Sequence, residues 1–139
     1  MSDTVAESLT GTAGACAVRR VYLHDSGAPA AVVVIPSVFV AARDGRGRLL
    51  LVRRSDSGAW ELPGGRVDVG ESALETAVRE TAEESGVSVR ITGLVGLFTD
   101  PAHVVASPGG GEARQRFGVS LHAGALGGRP VPDMHEPTD

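Results

Sequence analysis

The chain of 139 residues contains no lysine and one cysteine, Cys16, and aromatic side chains make up only 4% of it. A lone cysteine excludes an internal disulfide and fits a reducing compartment, so a cytoplasmic protein is expected. No apolar stretch approaches the roughly 20 residues that a membrane span requires. The N-terminus lacks the basic region and apolar run of a secretory signal, so no membrane partner is expected. All 13 cationic side chains are arginines, set against 17 carboxylates for a net charge of −4. That balance argues against charge-driven binding of polymeric nucleic acid. It leaves arginine, the side chain suited to bidentate phosphate or carboxylate contacts, to supply any local positive patch. His24, His103, His122 and His135 are scattered without ligand spacing, so no zinc site is indicated. Gly109-Gly110-Gly111 is not followed by Lys-Ser or Lys-Thr and reads as a flexible loop rather than a phosphate loop.

Length and a hydrophobic content of 42% indicate one soluble domain with one core. Residues 1–15, rich in Ser, Thr, Ala and Gly, read as a flexible tail, and 16–139 as the domain. Strands are expected over Arg19 to His24 and over the β-branched run Ala31 to Ala42, with Pro36 at an edge or a bulge. Asp44-Gly45-Arg46-Gly47 reads as a hairpin turn with a return strand from Arg48 to Arg54. Trp60-Glu61-Leu62 is a short strand, in which Trp60 reads first as a sheet-packing residue rather than a base-stacking platform. Further strands are expected over Val87 to Phe98 and Arg114 to Ala123. Asp100 to Ala113 reads as a loop, and Gly124 to Asp139 as a Gly- and Pro-rich remainder.

The most informative stretch is Gly65 to Val87. Ser72 and Glu75 form a capping box, so a helix starts at about Ala73, and Gly86 stops it. Leu74, Ala77, Val78, Thr81 and Ser85 make its apolar side. Glu80, Glu83 and Glu84 crowd the opposite side at i, i+3, i+4, where like charges destabilise a helix by a few tenths of a kcal/mol per pair. Two of them lie near the C-terminus, where the helix dipole disfavours anions. A solvated face is the ordinary explanation of a Glu-rich helix. A divalent cation would reverse the sign of the crowding, and an all-oxygen set with room for water suits Mg²⁺ or Mn²⁺.

Gly65, Glu71, Arg79, Glu80, Glu83, Glu84 and Gly86 fill every fixed position of a pattern that resembles the Nudix box, with Val87 at its closing aliphatic position. Thr81 stands where a bulkier aliphatic residue is usual. Seven fixed positions at residue frequencies of about 5–7% coincide by chance on the order of once in 10⁸–10⁹ placements. The resemblance covers about a sixth of the chain. It implies an α/β fold, an α/β/α sandwich around a mixed β-sheet. Family members continue past Gly128 with a further strand and helix, so the expectation here is either a truncated end or a second subunit, as in a homodimer, over one sheet face.

The resemblance also implies metal-dependent hydrolysis of a diphosphate bond in a small nucleotide substrate, a nucleoside diphosphate joined to another moiety. Glu83 and Glu84 match the metal-binding glutamates, and Glu80 a further ligand or the general base. A Gly65 carbonyl would complete the metal shell. Arg79 would orient a glutamate, while Glu71 and Gly86 would be structural. Arg53 and Arg54 are candidates for substrate phosphates, and Glu112 for a second base or ligand. Both an ADP-ribose or nucleotide-sugar substrate and a modified (d)NTP fit, with a lean to the sugar type. The rival from another class is a non-catalytic nucleotide sensor of the same fold, which would be expected to have lost glutamates from the helix. The acid–base Cys and downstream Glu of isomerases on this fold are not recognisable.

Overall fold

The computed structural model describes residues 3–5, 18–107 and 112–130. Among them are nine strands and one helix. These are β1 (Asp3–Val5), β2 (Arg20–Leu23), β3 (Val33–Arg43), β4 (Val52–Arg53), β5 (Trp60–Glu61), β6 (Gly64–Arg66), α1 (Ala73–Ser85), β7 (Ser88–Phe98), β8 (His103–Ala106) and β9 (Ala113–Gly127). One mixed sheet runs β1-β2-β8-β9-β3-β6, with β7 also paired to β9. β3 and β9 are parallel, and the other pairings are antiparallel. β4 and β5 form a separate ribbon.

β3 explains where the core sits. A strand alternates its side chains between faces. Val38, Val40 and Ala42 point to the α1 side and are fully or almost fully buried, while Phe39 and Ala41 point to the other side. Ala77, Val87, Val89, Leu121 and Ala123 complete the core under the helix. Each buried valine contributes on the order of 1.5–3 kcal/mol relative to exposure. Pro36 sits at the end of the β3–β6 ladder, where its carbonyl accepts from Val67. That is a place a residue without an N–H can occupy.

α1 begins and ends as its sequence indicates. The Ser72–Glu75 capping box is complete in both directions, and Gly86 closes the helix with φ 73°. Its buried face is different from the expected one. Leu74 and Val78 are exposed, and the buried residues are Thr76, Ala77, Thr81 and Ser85. The hydroxyls are satisfied within the helix: Thr81 Oγ1 donates to the Ala77 carbonyl at 2.7 Å and Ser85 Oγ to that of Thr81 at 2.6 Å. Small side chains bonded back in this way let the helix lie close to the sheet. This accounts for Thr81 at a position where the resemblance implied something bulkier.

Three other segments differ from expectation. The return strand after Asp44–Gly47 is mostly irregular: Leu49 bridges Arg43 and Leu50 donates to Ala42, after which the chain leaves β3 to pair with β5. The expected loop after Asp100 contains β8, held by the buried Val104 and Val105. Turn residues on either side hid a four-residue strand. β9 runs on to Gly127, and residues 131–139 lie outside the described residues. Of the N-terminal 15 residues, Asp3–Val5 pair with β2 and the rest lie outside the described residues. No helix among the described residues covers the sheet face opposite α1.

Candidate active site

The site is built where α1 crosses β6. Gly65 pairs with Val38 and faces the helix. A Cβ at Gly65 would stand 2.5 Å from the Glu80 carboxyl carbon, so only glycine lets this carboxylate lie against the strand. A Cβ at the neighbouring Gly64 would collide with the Val38 carbonyl. The Gly64 N–H donates to Glu84 Oε2 at 3.3 Å. Two adjacent glycines thus seat two glutamates of one helix.

Glu80 and Glu84 hydrogen-bond each other, and both hold a proton more tightly than an ordinary glutamate. Burial is the leading cause for each. At Glu80 the Arg79 guanidinium opposes the rise. At Glu84 the Gly64 N–H opposes it, and the charges of Glu80 and Glu61 add to it. Like charges packed this closely share a proton or require a cation.

Arg79 organises the rest. It grips Glu71 with two parallel bonds, Nε to Oε2 at 2.7 Å and Nη2 to Oε1 at 2.8 Å. Its Nη1 donates to Glu80 at 2.9 Å and to Glu83 at 3.2 Å, and Asp68 lies 3.4 Å from Nη2. Glu71 also accepts from the Asp68 N–H and the Thr76 hydroxyl, tying the loop to the helix. The Arg79 guanidinium holds the Glu71 carboxyl down at about 2. The orienting role expected of Arg79 and the structural role expected of Glu71 both have a geometric counterpart here.

The expected carboxylate triad is divided. Glu80 and Glu84 face β6 together, whereas the Glu83 side chain is 56% exposed and turned to Arg79. Among the described residues no three carboxylates, imidazoles or thiols stand together as a ready metal cage. The donor chemistry nevertheless fits Mg²⁺ or Mn²⁺. Such ions are held by one or two carboxylates with water and phosphate completing the shell, and the crowded Glu80–Glu84 pair has an excess of negative charge to neutralise. Glu83 lies one residue from Glu84 on the same helix and is held by Arg79 at 3.2 Å.

The remaining candidates separate. Arg54 is only 6% exposed and is fully engaged: Nε and Nη2 grip Asp56 at 2.8 and 2.9 Å, and Nη1 meets Glu61 at 3.1 Å. It braces the loop rather than offering a fork to phosphate, a correction to its expected role. Arg53 is exposed, with its guanidinium 5.9 Å from the Trp60 ring centroid and Nε on the Gly58 carbonyl. Trp60 is 64% exposed, so it does not pack the sheet as expected. Arg53, Trp60 and Glu84 border a cavity of about 610 Å³ floored by Leu50, Leu51 and Val52. Glu112 precedes β9 and is not brought to the cluster. It lies seven residues from Val119, which is level with Val38 and Gly65, so roughly 20 Å away along the strand. Sequence reasoning missed Glu61, whose charge is felt at Glu84 and which binds both Arg54 and Arg19. The only signal was its place two residues before Pro63.

The chain is similar to known proteins in sequence and in fold. A family model described as a NUDIX domain matches residues 34–138. A putative 8-oxo-dGTP diphosphatase of Bacillus subtilis (strain 168) is 46% identical over 63 residues, covering 45% of this chain and 42% of that protein. An ADP-ribose pyrophosphatase of Methanocaldococcus jannaschii is 37% identical over 57 residues, covering 39% and 34%. The crystal structure of a MutT protein from Methanosarcina mazei Go1 superposes with a TM-score of 0.58 at 24% identity, covering 78% of this chain and 75% of that one, a likeness of fold. The chain spans less than half the length of these two curated relatives.

Proposed function

The chain belongs to the NUDIX family, and we propose that it hydrolyses the diphosphate bond of a nucleoside diphosphate joined to a further group, with Mg²⁺ or Mn²⁺ bound at α1. The observation that carries this reading is the Glu80–Glu84 pair, held against Gly64 and Gly65 with its proton affinity raised. A structural helix face gains nothing from two half-buried carboxylates in contact.

Glu80, Glu83, Glu84 and the Gly65 carbonyl would hold the cation. When bound, it would activate water and neutralise charge on the diphosphate. Arg79 positions Glu80 and Glu83 while its own charge is balanced by Glu71. Glu80, set between Arg79 and Glu84, is placed either to ligate or to accept the proton of the attacking water. Arg53 is the exposed arginine beside Glu84 and would meet substrate phosphate. The two curated relatives act, by their names, on 8-oxo-dGTP and on ADP-ribose. Both are diphosphate-bearing nucleotides, which supports the class, and within it a nucleoside diphosphate sugar is our reading.

The test is formation of the nucleoside monophosphate with Mg²⁺ over ADP-ribose, nucleotide sugars, dinucleoside polyphosphates and oxidised dNTPs, with Glu83→Gln beside the wild type. Turnover of one substrate that falls by orders of magnitude in the variant is expected. Binding of nucleotides without turnover of any would replace the hydrolase by a sensor.

A further inference from the structure

The sheet face opposite α1 carries two guanidinium groups with an open glycine between them. Ala42 of β3, Ala123 of β9 and Ile91 of β7 stand level and belong to the core under α1 or pack against it. One position along each strand, Arg43, Gly124 and Arg90 form the next row, and alternation turns that row to the opposite face. Both arginines are exposed, and among the described residues neither guanidinium makes a hydrogen bond or an ion pair. Asp44, the carboxylate next to Arg43 in the chain, is spent on the Arg48 guanidinium and on the N–H groups of Arg46 and Arg48. A Cβ at Gly124 would meet nothing within 4 Å. The same is true of Gly93, which pairs with the exposed His122 in the neighbouring row of this face.

The two arginines stand two strand spacings apart, roughly 10 Å, with Gly124 at the midpoint. Each has roughly 5 Å to cover to reach a group seated over Gly124, which is within the length of an arginine side chain. An anion there is held from both sides and offsets two like charges at once. A charge on an edge strand also discourages pairing with another chain. That role accounts for Arg90 on β7. It does not account for Arg43, whose strand is flanked by β9 on one side and bridged to Leu49 on the other, nor for the glycine between the two. The place is separate from the carboxylates of α1. Val38 pairs with Gly65, and Arg43 lies roughly 17 Å further along β3 and on the other face.

We propose that Arg43 and Arg90, over the floor of Gly124, hold the terminal phosphate of a small phosphorylated molecule. This site is independent of the hydrolase reading. A guanidinium fork takes a pair of phosphate oxygens in parallel bonds. A phosphomonoester offers three acceptor oxygens, so forks from opposite sides can both be filled with one oxygen shared. A phosphodiester has one fewer and fills only one fork. The row therefore selects a terminal phosphate over the backbone of a polynucleotide, in keeping with the net charge of −4.

The experiment is proton–nitrogen NMR of the whole chain titrated with inorganic phosphate at neutral pH, in chelator and at constant ionic strength, so that neither a metal nor general screening contributes. Saturable shifts are expected at the Gly124 N–H and at the Nε–H of Arg43 and Arg90. Glycerol phosphate should bind as phosphate does, and dimethyl phosphate about tenfold more weakly. Arg43→Gln and Arg90→Gln should each weaken phosphate binding about tenfold, and Arg43→Lys, which keeps the charge but not the fork, by several-fold. Gly124→Val has room in the fold yet fills the seat, so it should abolish binding while circular dichroism stays native. Arg46→Gln, at the exposed hairpin turn, should bind within about twofold of wild type. Absence of saturable shifts, wild-type affinity in both glutamine variants or in a folded Gly124→Val, an equal loss in Arg46→Gln, or equal binding of dimethyl phosphate would each overturn the proposal. Should Gly124→Val unfold, the two exposed arginines still decide the matter.

Discussion

Arg54 and Glu84 border the same cavity and are both largely withdrawn from water, yet their surroundings treat charge in opposite ways. Around Arg54 every charge has a partner of the other sign. Asp56 takes two bonds from the guanidinium and Glu61 a third, and Arg54 draws the Asp56 carboxyl down to about 2. Around Glu84 the neighbours are Glu80 and Glu61, and among the described residues the compensation in direct contact is one N–H from Gly64. The first arrangement completes itself. The second is complete only with a proton or a cation, and that difference separates an ion pair that holds the fold from a cluster that acts on something outside it.

The comparison is broken most severely at Glu84. Glu84→Gln should lower kcat with Mg²⁺ by about 10³-fold, while the thermal midpoint stays level or rises because a like charge has been removed. Mg²⁺ at a hundred times its Kd should stabilise the wild type by about 2.7 kcal/mol, an effect that a calorimetric scan should find largely lost in the variant. A variant that unfolds at lower temperature and keeps its Mg²⁺ response would make Glu84 a structural residue like Asp56.

Arg54→Ala tests the other side. It leaves Asp56 and Glu61 without their main partner, and urea unfolding should show a loss of about 3 kcal/mol. A variant that keeps its stability but loses affinity for phosphate would restore Arg54 to the substrate-binding role its sequence position suggested.

The two regions should also respond to pH with opposite signs. The folded pKa of Asp56 is depressed, so its contribution is present above the unfolded value near 4 and is lost as pH falls towards about 2, up to about 2 kcal/mol in all. The folded pKa values of Glu80 and Glu84 are raised, so without metal they oppose folding increasingly as pH rises above the ordinary glutamate range. Chemical denaturation from pH 2 to 8 in chelator should show Asp56→Asn flattening only the acid limb and Glu84→Gln only the limb above pH 4.5.

How much of this was legible beforehand follows from what each feature depends on. The helix, its caps and the order of its glutamates depend on residues within five positions of one another, and the sequence shows them directly. The Arg79–Glu71 grip was half legible, because the residue types and spacing were visible but the partner was not. Arg54 and Trp60 were misjudged because their roles are set across space. Arg54 is held by Asp56 and by Glu61 of β5, and Trp60 is exposed on the β4–β5 ribbon, which stands apart from the main sheet. β8 was hidden because four residues between turns carry too little periodicity. The division of the triad could not be seen at all, since helical spacing places Cα atoms but not the rotamer that turns Glu83 to Arg79.

The smallest expected effect separates the end of α1 from its middle. The Ser72 hydroxyl accepts from the Glu75 N–H at 3.2 Å, and the Glu75 carboxylate accepts from the Ser72 N–H at 3.3 Å. Ser72→Ala removes the first of these bonds and should destabilise the chain by about 1 kcal/mol, a fall of a few degrees in thermal midpoint. Turnover should stay within twofold. Glu80 and Glu84 are fixed not by the helix terminus but by the contact of Gly65 with Glu80, the Gly64 N–H and the Arg79 fork, all at least one turn further on. A loss of activity larger than the loss of stability would mean that the cap sets the angle at which α1 meets β6. The crowding of Glu80 and Glu84 would then depend on the whole helix rather than on two glycines beneath it.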